Sequence, residues 1–433
     1  MTKNSIDSQD NAAKHQYDTL SDDVSNSQDT PVIFNTLLTD SGHLIGIMTL
    51  NVPKSLNALS VEMCKLLSQQ LAKWQEDNNV VAILLKGSGD KAFCAGGDIR
   101  KLYNSMSDDA PIPNPYATEF FTNEYRLLRQ MHFYPKPLIL WGDGIIMGGG
   151  MGLFAACSHR IVTERTRFAM PEVTIGLFPD ASGSWFLPRM PAKMGLFLGL
   201  TGVQCTGGDA LLVNLAEYAV ASHNYETVLQ YLIDSDWQSL TTSDKENDLN
   251  ISHSAMAHSI TSRALAALPV AILPESKLGQ YWRPIQRLMN SGGLADIDAI
   301  LQNDTALAQL DAEFAADKWT QKAVATYRHG CPVTVTLAYN LYQQSSQLSL
   351  EQTLYLETNV AVHCAANPDF REGVRALLID KDKKPQWSRS LAECLTAEGS
   401  QYIRQHFTSP YPNGAHPLDE WLGSNALGAQ KVR

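Results

Sequence analysis

The chain has 433 residues, 44% of them hydrophobic and 18% charged, with a formal net charge of -11. Such a length buries a large core, and the acidic balance argues against nucleic acid or an anionic membrane as partner, while leaving room for a phosphorylated ligand held by a few local cations. Seven cysteines with no C-x-x-C pair read as reduced thiols and, with the N-terminal composition, as a cytoplasmic protein.

Residues 1–31 are polar and rich in acids, with neither an apolar signal core nor the basic character of a transit peptide, so a disordered tail is expected there. "HLIGIMTL" (43–50) reads as a strand. Leu59, Met63, Leu66, Leu67, Leu71 and Trp74 then recur at helical spacing. "VVAILLKGSG" (80–89) is a buried strand running into a turn, "FFTNEYRLLRQMHFY" (120–134) is helical, and "PLILWGDG" (137–144) is again a strand. The stretch 159–180 gives two short strands and a loop. Alternating strands and helices favour a layered α/β core, and beyond about residue 190 helical patterns dominate. "TTSDKENDLNISHS" (241–254) reads as an exposed loop. His253 and His258 beside it are expected to be solvated, and no metal site is expected.

Two stretches invite wrong readings. "GSGDKA" (87–92) satisfies the dinucleotide pattern G-x-G-x-x-A, but a helix must open at once after such a turn, and "FCAGGD" follows instead. Residues 137–157 are long enough to cross a membrane, yet Asp143 and repeated glycines dilute the apolar signal. Cys94 reads as a small buried thiol, and no G-x-S-x-G elbow surrounds Ser182 or Ser184.

"FCAGGDI" (93–99) and "MGGGMGL" (147–153) each follow a strand. Glycine lets a ligand approach the main chain closely, and backbone N–H groups from two loops can grip a carbonyl oxygen from two sides. The second stretch runs into a small-residue helix, whose N-terminus adds a favourable dipole. Tight packing explains either stretch alone about as well. Asp98 is expected to cap the helix that follows it.

Taken together, "FCAGGDI", "MGGGMGL" and "AMPEVTIGLFPDASGSWFLPR", in that order and spacing, resemble the crotonase (enoyl-CoA hydratase/isomerase) superfamily. With "DFREGVRALLIDKDKKPQW" (369–387) they resemble its 3-hydroxyisobutyryl-CoA hydrolase branch. The resemblance covers about residues 35–390. It implies an α/β fold, a crotonase-like spiral of ββα units over 32–220, with a mainly helical C-terminal region over 221–433. It also implies an acyl-CoA substrate, with no cofactor beyond the CoA that the substrate carries. Gly97 and Gly149 match the oxyanion-hole positions, Glu172 the catalytic carboxylate, Asp180 a second acid of the hydrolase branch, and Glu124 a substrate-contacting glutamate. Lys54 lies where the superfamily often meets CoA phosphates. Self-association is left open.

One departure bears on the reaction. The superfamily's hydratases carry a second glutamate two residues after the glycine triplet, so that two carboxylates manage one water. Here that position is Gly152, and no acid occurs from Met147 to Cys157. The expected activity is therefore hydrolysis of the thioester, with Glu172 as base or nucleophile, and the resemblance implies 3-hydroxyisobutyryl-CoA as the substrate, in valine breakdown. The alternatives are an enoyl-CoA hydratase or isomerase and, from another class, a non-catalytic CoA-binding subunit.

Overall fold

The computed structural model of the protein describes residues 30–107, 110–242, 253–412 and 415–422. Nearly all of the expected N-terminal tail and most of the 241–254 loop lie outside the described residues.

Two sheets carry the N-terminal half. The larger contains β1 (Val32–Leu38), β2 (Leu44–Leu50), β3 (Val80–Gly87), β5 (Leu138–Gly142), β7 (His159–Val162) and β10 (Tyr218–Ala219), in that order across the sheet. The smaller contains β4 (Ala92–Cys94), β6 (Ile145–Met147), β8 (Arg167–Ala169) and β9 (Cys205–Thr206). Only the β1–β2 and β8–β9 pairs are antiparallel. The pairs β3/β4, β5/β6 and β7/β8 each place one strand in the large sheet and the next in the small one. The chain thus climbs as a spiral, and each turn lays its loops directly over those of the turn before. The expected α/β spiral with a helical C-terminal region is the architecture found.

Local sequence explains the elements. In β3 the first six residues, Val80 to Leu85, are all buried, as a parallel strand covered on both faces requires. Helix α1 (Val61–Glu76) buries Met63, Leu67, Leu71 and Trp74 along one stripe, and the Ser60 side chain caps it by accepting from the Met63 amide. Gly46 in β2 makes room for that stripe, since a Cβ there would stand 2.8 Å from the Trp74 ring. The turn after β3 enters β4 and no helix, which removes the dinucleotide reading. Asp98 does cap α2 (Ile99–Ser105), accepting from the Lys101 amide at 3.4 Å.

Helices after residue 220 complete the core. Tyr225–Ile233 and His253–Ala266 supply Leu229, Leu232, Ile260 and Leu265 to an apolar cluster on one face of the large sheet. A second cluster runs from Val32 to Ile403 and takes in both sheets' inner faces with the later helices. His258 departs from expectation: it is half-buried, with its ring stacked on His159 at 5.4 Å, whereas His253 is exposed. All seven cysteines are free and buried. Among the described residues no helix is long and apolar enough to cross a membrane.

Asn57 is the tie between the first turn of the spiral and the segment before α1. It is fully buried with a φ of 55°, donates to the Ser88 and Ala92 carbonyls at 3.0 Å each, and accepts from the Val52 amide at 3.0 Å. Asn57→Ala strands those three groups, the Ala92 carbonyl buried and the other two part-buried. The expected loss is roughly 3 kcal/mol, from about 1–3 kcal/mol per unsatisfied group with partial relaxation, read as a lower midpoint of urea unfolding. An unchanged midpoint would contradict this role.

Candidate active site

Loops that follow the small-sheet strands converge because the spiral stacks them. After β4 comes Ala95–Gly97, held by three main-chain bonds: Ala95 N–H to Leu56 C=O at 3.0 Å, Leu59 N–H to Gly96 C=O at 2.8 Å, and Asp98 N–H to Leu59 C=O at 2.7 Å. After β6 comes Gly148, with a φ of 51°, and then α4 (Gly149–Ala156). A Cβ on Gly96 would lie 3.9 Å from the Gly149 nitrogen, so the two glycine loops touch. Gly149 is the first residue of α4, where an amide has no acceptor within its own helix. Neither its N–H nor that of Gly97 donates to a main-chain carbonyl among the described residues.

The carboxylates arrive from three further elements. Glu172 opens a single turn (Glu172–Ile175) just after β8, and its Oε1 is 3.0 Å from where a Gly148 Cβ would stand. Glu124 projects from α3 (Pro115–His132), and its Oε1 lies 2.2 Å from where a Gly149 Cβ would stand. No side chain fits at Gly149 while Glu124 keeps that place. Asp180 precedes the short helix α5 (Gly183–Phe186) and accepts from the Tyr125 hydroxyl at 3.0 Å. All three acids are at most 5% exposed. Glu124 Oε1 and Glu172 Oε2 are buried without a hydrogen-bond partner. Buried polar atoms left unpaired carry a desolvation cost, which a ligand with donors would relieve.

The structure therefore brings Gly97, Gly149, Glu124, Glu172 and Asp180 into one site. Lys54 is set apart: it is exposed in the turn Pro53–Ser55, on the segment that Asn57 ties to the β3–β4 turn. Cys94 is buried behind the first glycine loop, where burial pushes its thiol up to about 12, so it is no nucleophile. Among the described residues no group of three or more side chains could hold a metal.

Gly152 acquires a physical explanation. A Cβ there would stand 2.7 Å from the Ala181 carbonyl oxygen and 3.0 Å from the Ala181 Cβ. The Asp180–Ser182 backbone occupies the space that a second glutamate on α4 would need.

Sequence reasoning missed a fourth acid. Glu357, on the helix Leu350–Ala366, is fully buried and accepts from the amides of Ser182 and Ser184, each at 2.9 Å. A signal existed: Glu357 is the lone acid in the stretch "LYLETNVAV" (354–362).

Burial and mutual repulsion govern how these acids titrate. Burial, then the neighbouring Asp180 charge, holds Glu124 and Glu172 well above the usual carboxylate range. Burial pushes Asp180 up to about 7 against the Tyr125 hydrogen bond, and burial with Asp180 nearby pushes Glu357 up to about 8.

The fold and site define a class: a ββα spiral that sets two glycine loops and a buried carboxylate around one point. Comparison with known proteins makes the class specific. Residues 45–406 match the family model described as enoyl-CoA hydratase/isomerase, and the chain belongs to that family. It is 35% identical over 373 residues to the mitochondrial 3-hydroxyisobutyryl-CoA hydrolase of Xenopus tropicalis, covering 86% of this chain and 88% of that one. Identity to the human protein of the same name is 32% over 364 residues, covering 84% and 86%. The resemblance to the hydrolase branch is thus borne out. Among solved structures, a carnitinyl-CoA dehydratase from Mycobacterium thermoresistibile superposes with a TM-score of 0.72 at 30% identity, covering 90% of this chain and 98% of that one. An enoyl-CoA hydratase from Rhodobacter sphaeroides gives 0.70 at 27% identity, covering 88% and 98%.

One expectation is corrected. The hydrolases are named as mitochondrial, which overturns the cytoplasmic reading. Reduced thiols do not tell one reducing compartment from another, and the N-terminal residues used for that reading lie outside the described structure.

The raised acids set a pH dependence of stability. Unfolded carboxyls titrate near about 4. Between there and about 7 for Asp180, or about 8 for Glu357, the folded state keeps protons that the unfolded state has released. Stability therefore falls as pH rises through that window. Calorimetric melting of Asp180→Asn should show a smaller fall in midpoint across the same window. A fall equal to that of the native protein would refute the placement of Asp180 among the buried acids.

Proposed function

We propose that the protein hydrolyses an acyl-CoA thioester, 3-hydroxyisobutyryl-CoA, releasing 3-hydroxyisobutyrate and CoA in valine breakdown. The observation that carries this reading is Glu172 set against Gly148, with the hydratase position on α4 closed by the Ala181 backbone. Addition of water across a double bond wants two carboxylates on one water. Thioester hydrolysis needs one base or nucleophile, donors for the carbonyl oxygen, and a proton for sulfur.

Each group has a role in that scheme. The thioester oxygen sits between the N–H groups of Gly97 and Gly149, which stabilise the charge that develops on it; the end-on dipole of α4 adds to the second. Glu172 attacks the carbonyl carbon, or takes the proton from a water that does. The C–S bond then breaks as the carbonyl re-forms; where Glu172 itself attacked, water next cleaves the resulting anhydride, freeing the acid and restoring the carboxylate. Asp180, pushed up to about 7, passes a proton to the departing sulfur in the fraction of molecules where it is protonated and Glu172 is ionised. Glu124 accepts from the substrate hydroxyl through its unpartnered Oε1. Lys54, exposed on the adjoining turn, meets the CoA phosphates. The reaction takes no cofactor besides the CoA of the substrate.

A thiol reagent should detect CoA release from 3-hydroxyisobutyryl-CoA, while crotonyl-CoA keeps its conjugated absorbance. Glu172→Gln should lower the rate by about 10²–10⁴-fold, the range of general-base loss, with CoA affinity nearly unchanged. Rapid hydration of crotonyl-CoA without CoA release would sink the hydrolase reading in favour of the hydratase one. CoA binding with no turnover of either thioester would favour the non-catalytic one.

Selectivity follows from the unpaired acceptors. An analogue lacking the hydroxyl leaves Glu124 buried and unsatisfied, so isobutyryl-CoA should have a kcat/KM lower by roughly 10⁴-fold. Glu124→Gln should narrow the ratio between the two substrates. Equal native rates on both would remove the hydroxyl contact and leave the hydrolase assignment standing.

A further inference from the structure

Three of the four acids buried at the site have a place in the reaction; Glu357 has none so far. We infer that Glu357 is a positioning residue of the hydrolysis, holding the backbone of residues 181–184 so that Asp180 faces the acyl group. The inference rests on the reaction proposed above.

The geometry is a two-sided clamp on one turn. On one side the Ala181 backbone lies against Gly152 of α4. On the other, Glu357 Oε2 takes the Ser182 amide and Oε1 takes the Ser184 amide. Between them Ala181 and Ser182 adopt φ values of 51° and 66°, a left-handed conformation that residues other than glycine hold only when their surroundings impose it. The Asp180 carbonyl accepts from the Gly183 amide at 2.7 Å, so the turn that carries Asp180 is closed on itself and moves as a unit.

The chemistry of the clamp explains the residue type. Two amides pointing the same way need two acceptors in a fork, which a carboxylate presents. A glutamine offers one acceptor, and its NH2 would face the other N–H. A tie without catalytic consequence would avoid placing a fourth acid beside three others, given the cost of burying like charges. Glu357 is surrounded by titratable groups: Glu124 and Tyr125 on α3, and Glu172 and Asp180 on the loops. Once ionised, Glu357 adds to the rise of Glu124 and Glu172, behind burial and Asp180, so it bears on where the reacting acids ionise as well as on where one of them points.

The test is thiol release by E357Q, E357D, D180N and the two corresponding double variants, with full pH profiles. E357Q should lower kcat by about 10²-fold, the scale of a misplaced reacting group, while KM changes little. Its acid limb in kcat/KM should move to lower pH, because Glu172 loses a neighbouring charge. E357D should recover part of kcat. In the D180N background either substitution at position 357 should cost only a small fraction of what it costs in the native chain. Full multiplication of the two losses, or an unmoved acid limb in a folded E357Q, overturns the inference. If circular dichroism shows E357Q unfolded, the cycle with E357D decides by the same criterion. A native protein that releases no CoA would end the parent reading instead; native turnover with multiplicative losses ends this one alone.

Discussion

Four carboxyl groups buried around one point form the constraint on which the rest depends. Each pays desolvation, and any two that ionise together repel in a medium that screens them poorly. Such a cluster survives only where hydrogen bonds and withheld protons offset it. Asp180 has the Tyr125 hydroxyl, and Glu357 has two main-chain amides. Glu124 and Glu172 each keep one oxygen without a partner; that of Glu124 lies against Gly149, while Glu172 turns its other oxygen to Gly148. The free-energy cost is thus concentrated where a substrate would come to relieve it.

The scaffold makes that concentration affordable in space. A spiral stacks equivalent loops from successive turns, so residues dozens of positions apart become neighbours without long excursions of the chain. Glycine appears where two such loops touch: at Gly150 a Cβ would stand 2.3 Å from the Cys94 carbonyl oxygen. α3 crosses the stack and contributes both Glu124 and Tyr125 from adjacent positions, one to the glycine turn and one to Asp180.

Much of this was legible in the sequence, for identifiable reasons. The stripe of α1 and the unbroken apolar run of β3 follow from periodicity, and the cap at Asp98 from its position before a helical pattern. β1 escaped because it is an edge strand with an intermediate burial pattern, and "VIFNTLL" alternates too weakly to stand out. His258 was misread because its partner, His159, comes from a strand 99 positions earlier, beyond any local pattern. Glu124, Glu172 and Asp180 could be placed only through the ordered motifs of the family, since nothing local says that three separate acids meet. Glu357 lay outside those motifs, on a helix whose apolar neighbours suggested only packing.

The bonds from Ser182 and Ser184 to Glu357 span 175 and 173 residues of chain. During synthesis the glycine loops, Glu172 and Asp180 all emerge well before the helix that fastens the Asp180 turn. Contacts of such sequence separation form late, after the cost of closing a long loop has been met. Until that helix docks, the left-handed turn at Ala181 and Ser182 lacks its two bonds to Glu357. Premature termination before residue 357 leaves the turn at Ser182 and Ser184 without these two bonds.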